Sequence, residues 1–222
     1  MIPENVLRWL ELVQANRGPF PAALLLALMN RLSQGDPAAS NQYGAQGLFL
    51  IHPDTAASFN VEPEGLIDPE VSVRLAVDLL EDRLDKIKAA AAQAGIWNLS
   101  DTQALQLLLP AYWWGPVPTI NAIAAGRGPD PENVWSYLER GDAYKEFSDS
   151  ILAKAAEYQA QIPAATGNGS DADTGADTGI GTAAPKSNTG LWVLGVLGLI
   201  GLVSWWDSSK GKKKKKGKKK RR

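Results

Sequence analysis

Apolar residues recur at helical spacing through residues 1–162, and no segment there alternates convincingly with a period of two. The pattern predicts an all-α body with few or no strands. Val6, Leu7, Leu10 and Val13 share one face of a first helix, which Pro3 starts and Gly18 stops. Residues 21–32 are almost wholly apolar (AALLLALM), the pattern of a central helix buried on every side. Asp68-Pro69-Glu70 supplies a cap, a proline for the first turn and an acid for the positive end of a long helix. That helix carries Leu75, Leu79, Leu80, Leu84 and Ile87 on towards Ala94. Ser100 and Gln103 form a capping-box pair that opens a helix to about Tyr112. Asp130-Pro131-Glu132 opens another, closed by Gly141, and a last helix covers residues 143–162.

The pattern changes beyond this body. Residues 163–189 are dominated by Gly, Ala, Thr and Asp, with a short DADTG/ADTG echo. Such a stretch cannot bury enough apolar surface to offset chain entropy and reads as a flexible linker. Residues 190–206 then hold LWVLGVLGLIGLVSWW without a charge. At ~1.5 Å per residue these sixteen positions reach roughly 24 Å, a little short of the ~30 Å hydrocarbon core. Trp192 at one end and Trp205 and Trp206 at the other match interfacial aromatic belts, so the segment is expected to be a single transmembrane helix. Gly195, Gly198, Gly201 and Ser204 recur along it and are read as ordinary membrane-helix small residues.

Charge sharpens the division. The formal net charge of −1 conceals a basic tail in residues 207–222. It comprises Lys210, Lys212, Lys213, Lys214, Lys215, Lys216, Lys218, Lys219, Lys220, Arg221 and Arg222. Setting these eleven aside leaves 12 basic residues against 24 acidic ones. The tail, not the body, is therefore the part that meets polyanions. Two partners fit: anionic lipid headgroups and DNA. Lipid is preferred because a real span would hold the tail at a bilayer surface. The positive-inside rule places the basic C-terminus in the cytoplasm, or on the DNA-facing side of a virion membrane. The first residues, MIPENVLRWLELVQANR, carry acids and no unbroken apolar run, so they do not read as a signal peptide. With no cysteine and one histidine, His52, neither a disulfide, a thiolate metal site nor a multi-histidine site is expected, and no cofactor is implied.

One constellation suggests a function. Residues 22–59 contain Ser33, Pro37, Gly44-Ala45-Gln46-Gly47-Leu48 and Pro53-Asp54-Thr55-Ala56, in that order. Further on come Gly65-Leu66-Ile67-Asp68-Pro69 and Ala111-Tyr112-Trp113-Trp114-Gly115-Pro116. In order and spacing these blocks resemble the soluble lytic transglycosylases, relatives of goose-type lysozyme, over about residues 20–140. The resemblance implies a lysozyme-like helical domain over residues 1–162 that acts on the glycan strands of peptidoglycan. Ser33, Gly44, Ala45, Gly47, Tyr112, Trp113 and Trp114 become candidates for a glycan groove. The three aromatics suit either sugar stacking or core filling, whereas Trp97 and Trp135 read as core.

The family's reaction, as the resemblance implies it, rests on one glutamate immediately before the serine that ends the apolar helix. A partly buried carboxyl protonates the departing glycosidic oxygen, then helps the sugar's 6-hydroxyl close an anhydro ring. Here that position is Leu32, and residues 21–34 contain no carboxylate. The family's glutamine falls at Leu50 and its asparagine at Trp113. The expectation is a membrane-anchored, catalytically inactive relative with a structural or peptidoglycan-contacting role, in a cell envelope or a membrane-containing phage virion. The alternative is an active muralytic enzyme with a relocated acid such as Asp36, which otherwise reads as a solvated turn residue. A third reading has the chain recruit DNA to a membrane. His52, without an evident acid or base partner, reads as a capping or surface residue.

Overall fold

The structure, a computed structural model, describes residues 1–95, 99–127 and 130–162. Trp97, the linker, the apolar segment 190–206 and the basic tail lie outside the described residues. Among the described residues no helix is long and apolar enough to cross a membrane.

The body is helical, as the periodicity predicts, and among the described residues only the isolated bridges Ser40–Gln46 and Gln46–Ile51 interrupt that character. Its centre is α3 (Ala22–Leu32), whose residues from Ala23 to Met29 are all buried. The other long helices are α5 (Pro69–Gln93), α6 (Asp101–Trp114) and α9 (Gly141–Gln159). The longest contact runs between α3 and α9, and α6 lies against both α5 and α9. Shorter helices complete the shell: α1 (Glu4–Leu7), α2 (Leu10–Asn16), α4 (Pro53–Ala57), α7 (Val117–Ala122) and α8 (Pro131–Tyr137). A 3-10 turn covers Pro63–Ile67, and α7 runs into a π-helical turn at Ile123–Arg127.

The helix starts follow the capping chemistry read from the sequence. Asp68 Oδ1 accepts from the backbone N–H of Glu70 and Val71 at 2.9 and 3.0 Å. Ser100 Oγ accepts from the Gln103 N–H at 3.3 Å, and Gln103 Oε1 accepts from the Ser100 N–H at 3.2 Å. Each bond satisfies an orphan donor of the first helical turn. Ser100→Ala should therefore cost about 1 kcal/mol, read as a fall of roughly 2–4 °C in the thermal midpoint. An unchanged midpoint would mean that water replaces the cap without loss.

Three boundaries differ from expectation. The first helix is broken at Arg8 and Trp9, because both side chains turn to donate to the Gly35 carbonyl, each at 2.9 Å. The helix expected to end near Tyr112 continues through Pro110 to Trp114 and stops at Gly115. Gly141 opens α9 instead of closing α8, which ends at Tyr137. At Gly141 a Cβ would lie 1.8 Å from the Trp135 carbonyl oxygen, so α8 and α9 meet there backbone to backbone. Lys145 reinforces this joint by pairing with Glu132 and lying 5.0 Å over the Trp135 ring. That joint sets where the first turns of α9 face. Trp135 itself is buried, as its sequence context suggested.

Candidate functional site

Four segments surround an open groove of about 520 Å³. The end of α3 contributes Arg31 and Leu32. The loop before α4 contributes Asn41, Gln42, Tyr43 and Leu50. The end of α6 brings Trp113 and Trp114, and the first turns of α9 bring Ala143, Glu146 and Phe147.

The aromatic wall serves two purposes. Trp114 stacks on Tyr144, with centroids 4.6 Å apart and planes 13° apart, and meets Phe147 edge-on at 5.3 Å. Trp113 stacks on Phe147 at 6.1 Å. Both tryptophans are half-buried, so each braces α9 and still presents ring surface to the groove. Such a surface suits an apolar sugar face. Tyr112 is different. It is buried, its hydroxyl donates to the Phe49 carbonyl at 3.0 Å, and burial pushes that hydroxyl far above the usual tyrosine range.

The loop wall is built by backbone bonds. Asn41 Oδ1 accepts from the Tyr43 and Ala45 N–H groups at 2.9 and 3.1 Å. Gln46 and Ile51 exchange bonds of 3.0 and 2.9 Å, which closes the turn that carries Leu50. Leu50 is held there at φ 45, a left-handed conformation that costs a leucine roughly 1–2 kcal/mol. The position is thus set by its turn and not by its side chain.

Several predicted groove residues serve the scaffold instead. Ser33 is buried beneath the loop: its Oγ donates to the Leu48 carbonyl at 2.7 Å and accepts from the Gly35 N–H at 3.1 Å. It ties the end of α3 to the loop and lies outside the groove lining. Gly47 and Ala45 are buried in the loop, and Gly44 is exposed beside His52; none of the three lines the groove. Asp36 is exposed, its Oδ1 accepts from the Ala38 N–H at 2.9 Å, and it is a turn residue apart from the groove. His52 caps α4 by accepting from the Asp54 N–H through Nδ1 at 3.2 Å.

Leu32, where the resemblance places the family's acid, does line the groove, as do Trp113 and Leu50. The carboxylate in the lining is Glu146, which the sequence reading did not single out. It is exposed on α9, on the same wall as Phe147. Arg31, also not singled out, holds its guanidinium 6.0 Å over the Phe147 ring. Neither residue carries a motif, and only the contact of α9 with α3 brings them together. Among the described residues no cluster of three or more His, Asp or Glu could hold a metal ion.

Comparison with known proteins adds a lineage. Residues 11–134 match the family described as the transglycosylase SLT domain. A comparison with curated proteins finds no match. Among solved structures, the 70 kDa soluble lytic transglycosylase from Escherichia coli aligns over 68% of this chain at 21% identity and a TM-score of 0.49. An inactive mutant of lytic transglycosylase Slt from Pseudomonas aeruginosa aligns over 71% at 17% identity and a TM-score of 0.45. In each case the alignment covers 24% of the other protein, so this chain corresponds to about a quarter of their length.

Proposed function

Because the chain belongs to the transglycosylase SLT domain family, we propose that it engages peptidoglycan glycan strands in this groove without cleaving them. The observation that carries the reading is Leu32 on the groove wall where the family's acid would stand. A leucine transfers no proton. The reaction needs a partly buried carboxyl beside the glycosidic oxygen, whereas Glu146 is exposed on the wall formed by α9. Leu50 and Trp113 add apolar surface beside Leu32. Once no charge must be stabilised there, apolar filling avoids the cost of an unpaired polar group.

The same proposal anchors the module to a membrane through residues 190–206, with the basic tail held against anionic headgroups. It would then serve as a structural part of a bacterial envelope or of a membrane-containing phage virion.

The test is a digest of purified sacculi with the full chain, together with its Asp36→Ala and Glu146→Gln variants. The expected outcome is co-sedimentation with sacculi and no release of anhydro-muropeptides above background by any of the three. A second reading, in which a relocated acid keeps the enzyme active, is better served by Glu146 than by Asp36, since Glu146 alone of the two lines the groove. Steady release that disappears in Glu146→Gln would establish that reading and overturn the silent one.

A further inference from the structure

The groove of Leu32 lies at the first turns of α9, and a second hollow lies just past its last turn. This hollow, of about 440 Å³, is lined by Met1, Ile2, Pro3, Glu4, Leu7 and Gln161. Met1 is 97% exposed and Leu7 43%, so large apolar surface faces solvent here. Gln161 ties the hollow to α9: its Oε1 accepts from the Ile2 N–H at 3.0 Å, and its Nε2 donates to the Glu157 carbonyl at 2.9 Å. Charge is sparse. Glu4 is exposed, and one turn before Gln161 the Glu157 carboxylate pairs with Lys154 at 2.7 Å. An open apolar patch with a polar rim marks a contact with a protein or with a bilayer.

Two features select the bilayer. The chain leaves the described body at Ile162, directly after Gln161, so the tether towards residues 190–206 starts at this hollow. Read from their composition as a flexible linker, residues 163–189 give an end-to-end distance of roughly 30 Å. A tether of that reach keeps the hollow at high effective concentration beside the membrane that holds the anchor. The second feature is polarity. The nineteen residues of α9 put roughly 28 Å between its ends, with Ala143, Glu146 and Phe147 in the groove at one end and Gln161 in the hollow at the other.

We propose that the hollow of Met1, Ile2, Pro3 and Leu7 rests on the apolar boundary of the anchoring bilayer, and that this contact stands the groove of Leu32 about a helix length off the membrane. The inference rests on the membrane anchoring proposed above. Met1 and Leu7 enter the acyl boundary, while Glu4 keeps its carboxylate among the headgroups. Without an excess of positive charge the contact is hydrophobic, and salt leaves it unchanged. In this it differs from the basic tail, which the span sets on the opposite leaflet.

The experiment uses the full chain reconstituted in phosphatidylcholine vesicles that carry a nitroxide on the lipid headgroup in both leaflets. The chain has no cysteine, so single labels are placed by Glu4→Cys in the hollow and by Ser58→Cys outside it. Lipid quenching at position 4 is expected to exceed that at position 58 by roughly twofold or more, at low and at high salt. Adding Leu7→Glu to the Glu4→Cys chain should bring its quenching down to the level of position 58. Leu7 is partly exposed, so circular dichroism should show the body still folded. Equal quenching at the two positions in chains that float with the vesicles, or quenching untouched by Leu7→Glu, would overturn the docking and leave the anchor standing. A label at position 4 shielded from aqueous iodide yet not quenched by lipid would mean that a protein segment or a second copy covers the hollow, which also overturns it. Chains that fail to float with the vesicles would overturn the anchor and the docking together.

Discussion

Gly47→Ala should cost the body about 2–5 kcal/mol, while the same change at Gly44 should cost only about 1–2 kcal/mol. The two glycines share one motif and one backbone conformation, φ 83. An alanine forced into that region pays a local penalty of roughly 1–2 kcal/mol at either position. Their surroundings differ. At Gly44 the nearest outside atom to an added Cβ is His52 Nε2 at 4.0 Å, an ordinary contact. At Gly47 the Cβ would lie 2.0 Å from the Leu66 carbonyl oxygen and 3.0 Å from Ser72 Oγ. The first of these is backbone and cannot rotate aside, so overpacking adds a further ~1–3 kcal/mol. For a body of this size the difference should appear as a thermal midpoint lowered by roughly 10 °C for Gly47→Ala and by a few degrees for Gly44→Ala. Gly47 also anchors the loop that offers the Leu48 carbonyl to Ser33 and the Phe49 carbonyl to Tyr112. The groove should therefore loosen before the rest of the body. Equal costs at the two glycines would show that the close approach to Leu66 relaxes freely.

The second large effect is partition. A full-length chain should stay with membranes through high salt and through carbonate, and a chain ending at Pro185 should be soluble. Residues 191–206 hold five Leu, three Val and one Ile. At about 0.3–0.6 kcal/mol each near a bilayer centre, these favour insertion by roughly 3–5 kcal/mol. The eleven charges of the tail follow after Asp207, Ser208 and Ser209. At about 1 kcal/mol per charge near an anionic surface, halved for mutual repulsion, they contribute roughly 5 kcal/mol. The two contributions separate cleanly, because salt screens the second within a Debye length and leaves the first untouched. Release of the full chain by salt alone would mean that only the tail was bound. Replacing the eleven residues with Gln and Ser, then probing the C-terminus with an impermeant protease, tests what the charges do. Changed sidedness supports the lipid role. Unchanged sidedness together with loss of a steeply salt-dependent retention of DNA supports the nucleic-acid role.

Much of this protein is written in short-range chemistry. The all-apolar run of α3 forces a buried helix, and the caps at Asp68, Ser100 and Asp130 place helix starts, because each needs only neighbours within a turn. The family is likewise legible in blocks whose order and spacing survive in one dimension. Tertiary structure decided the rest. The break at Trp9 depends on the Gly35 carbonyl, an acceptor from another segment that no local pattern announces. Ser33 and Tyr112, apt for a groove by residue type, spend their hydroxyls on the Leu48 and Phe49 carbonyls. Arg31 and Glu146 carry no motif and lie far apart in the chain, yet α9 against α3 brings both to the groove of Leu32 and Trp113. Helical periodicity records which face of an element is apolar. Which elements then meet, and which polar atoms are consumed in the meeting, follows from burying all those faces at once.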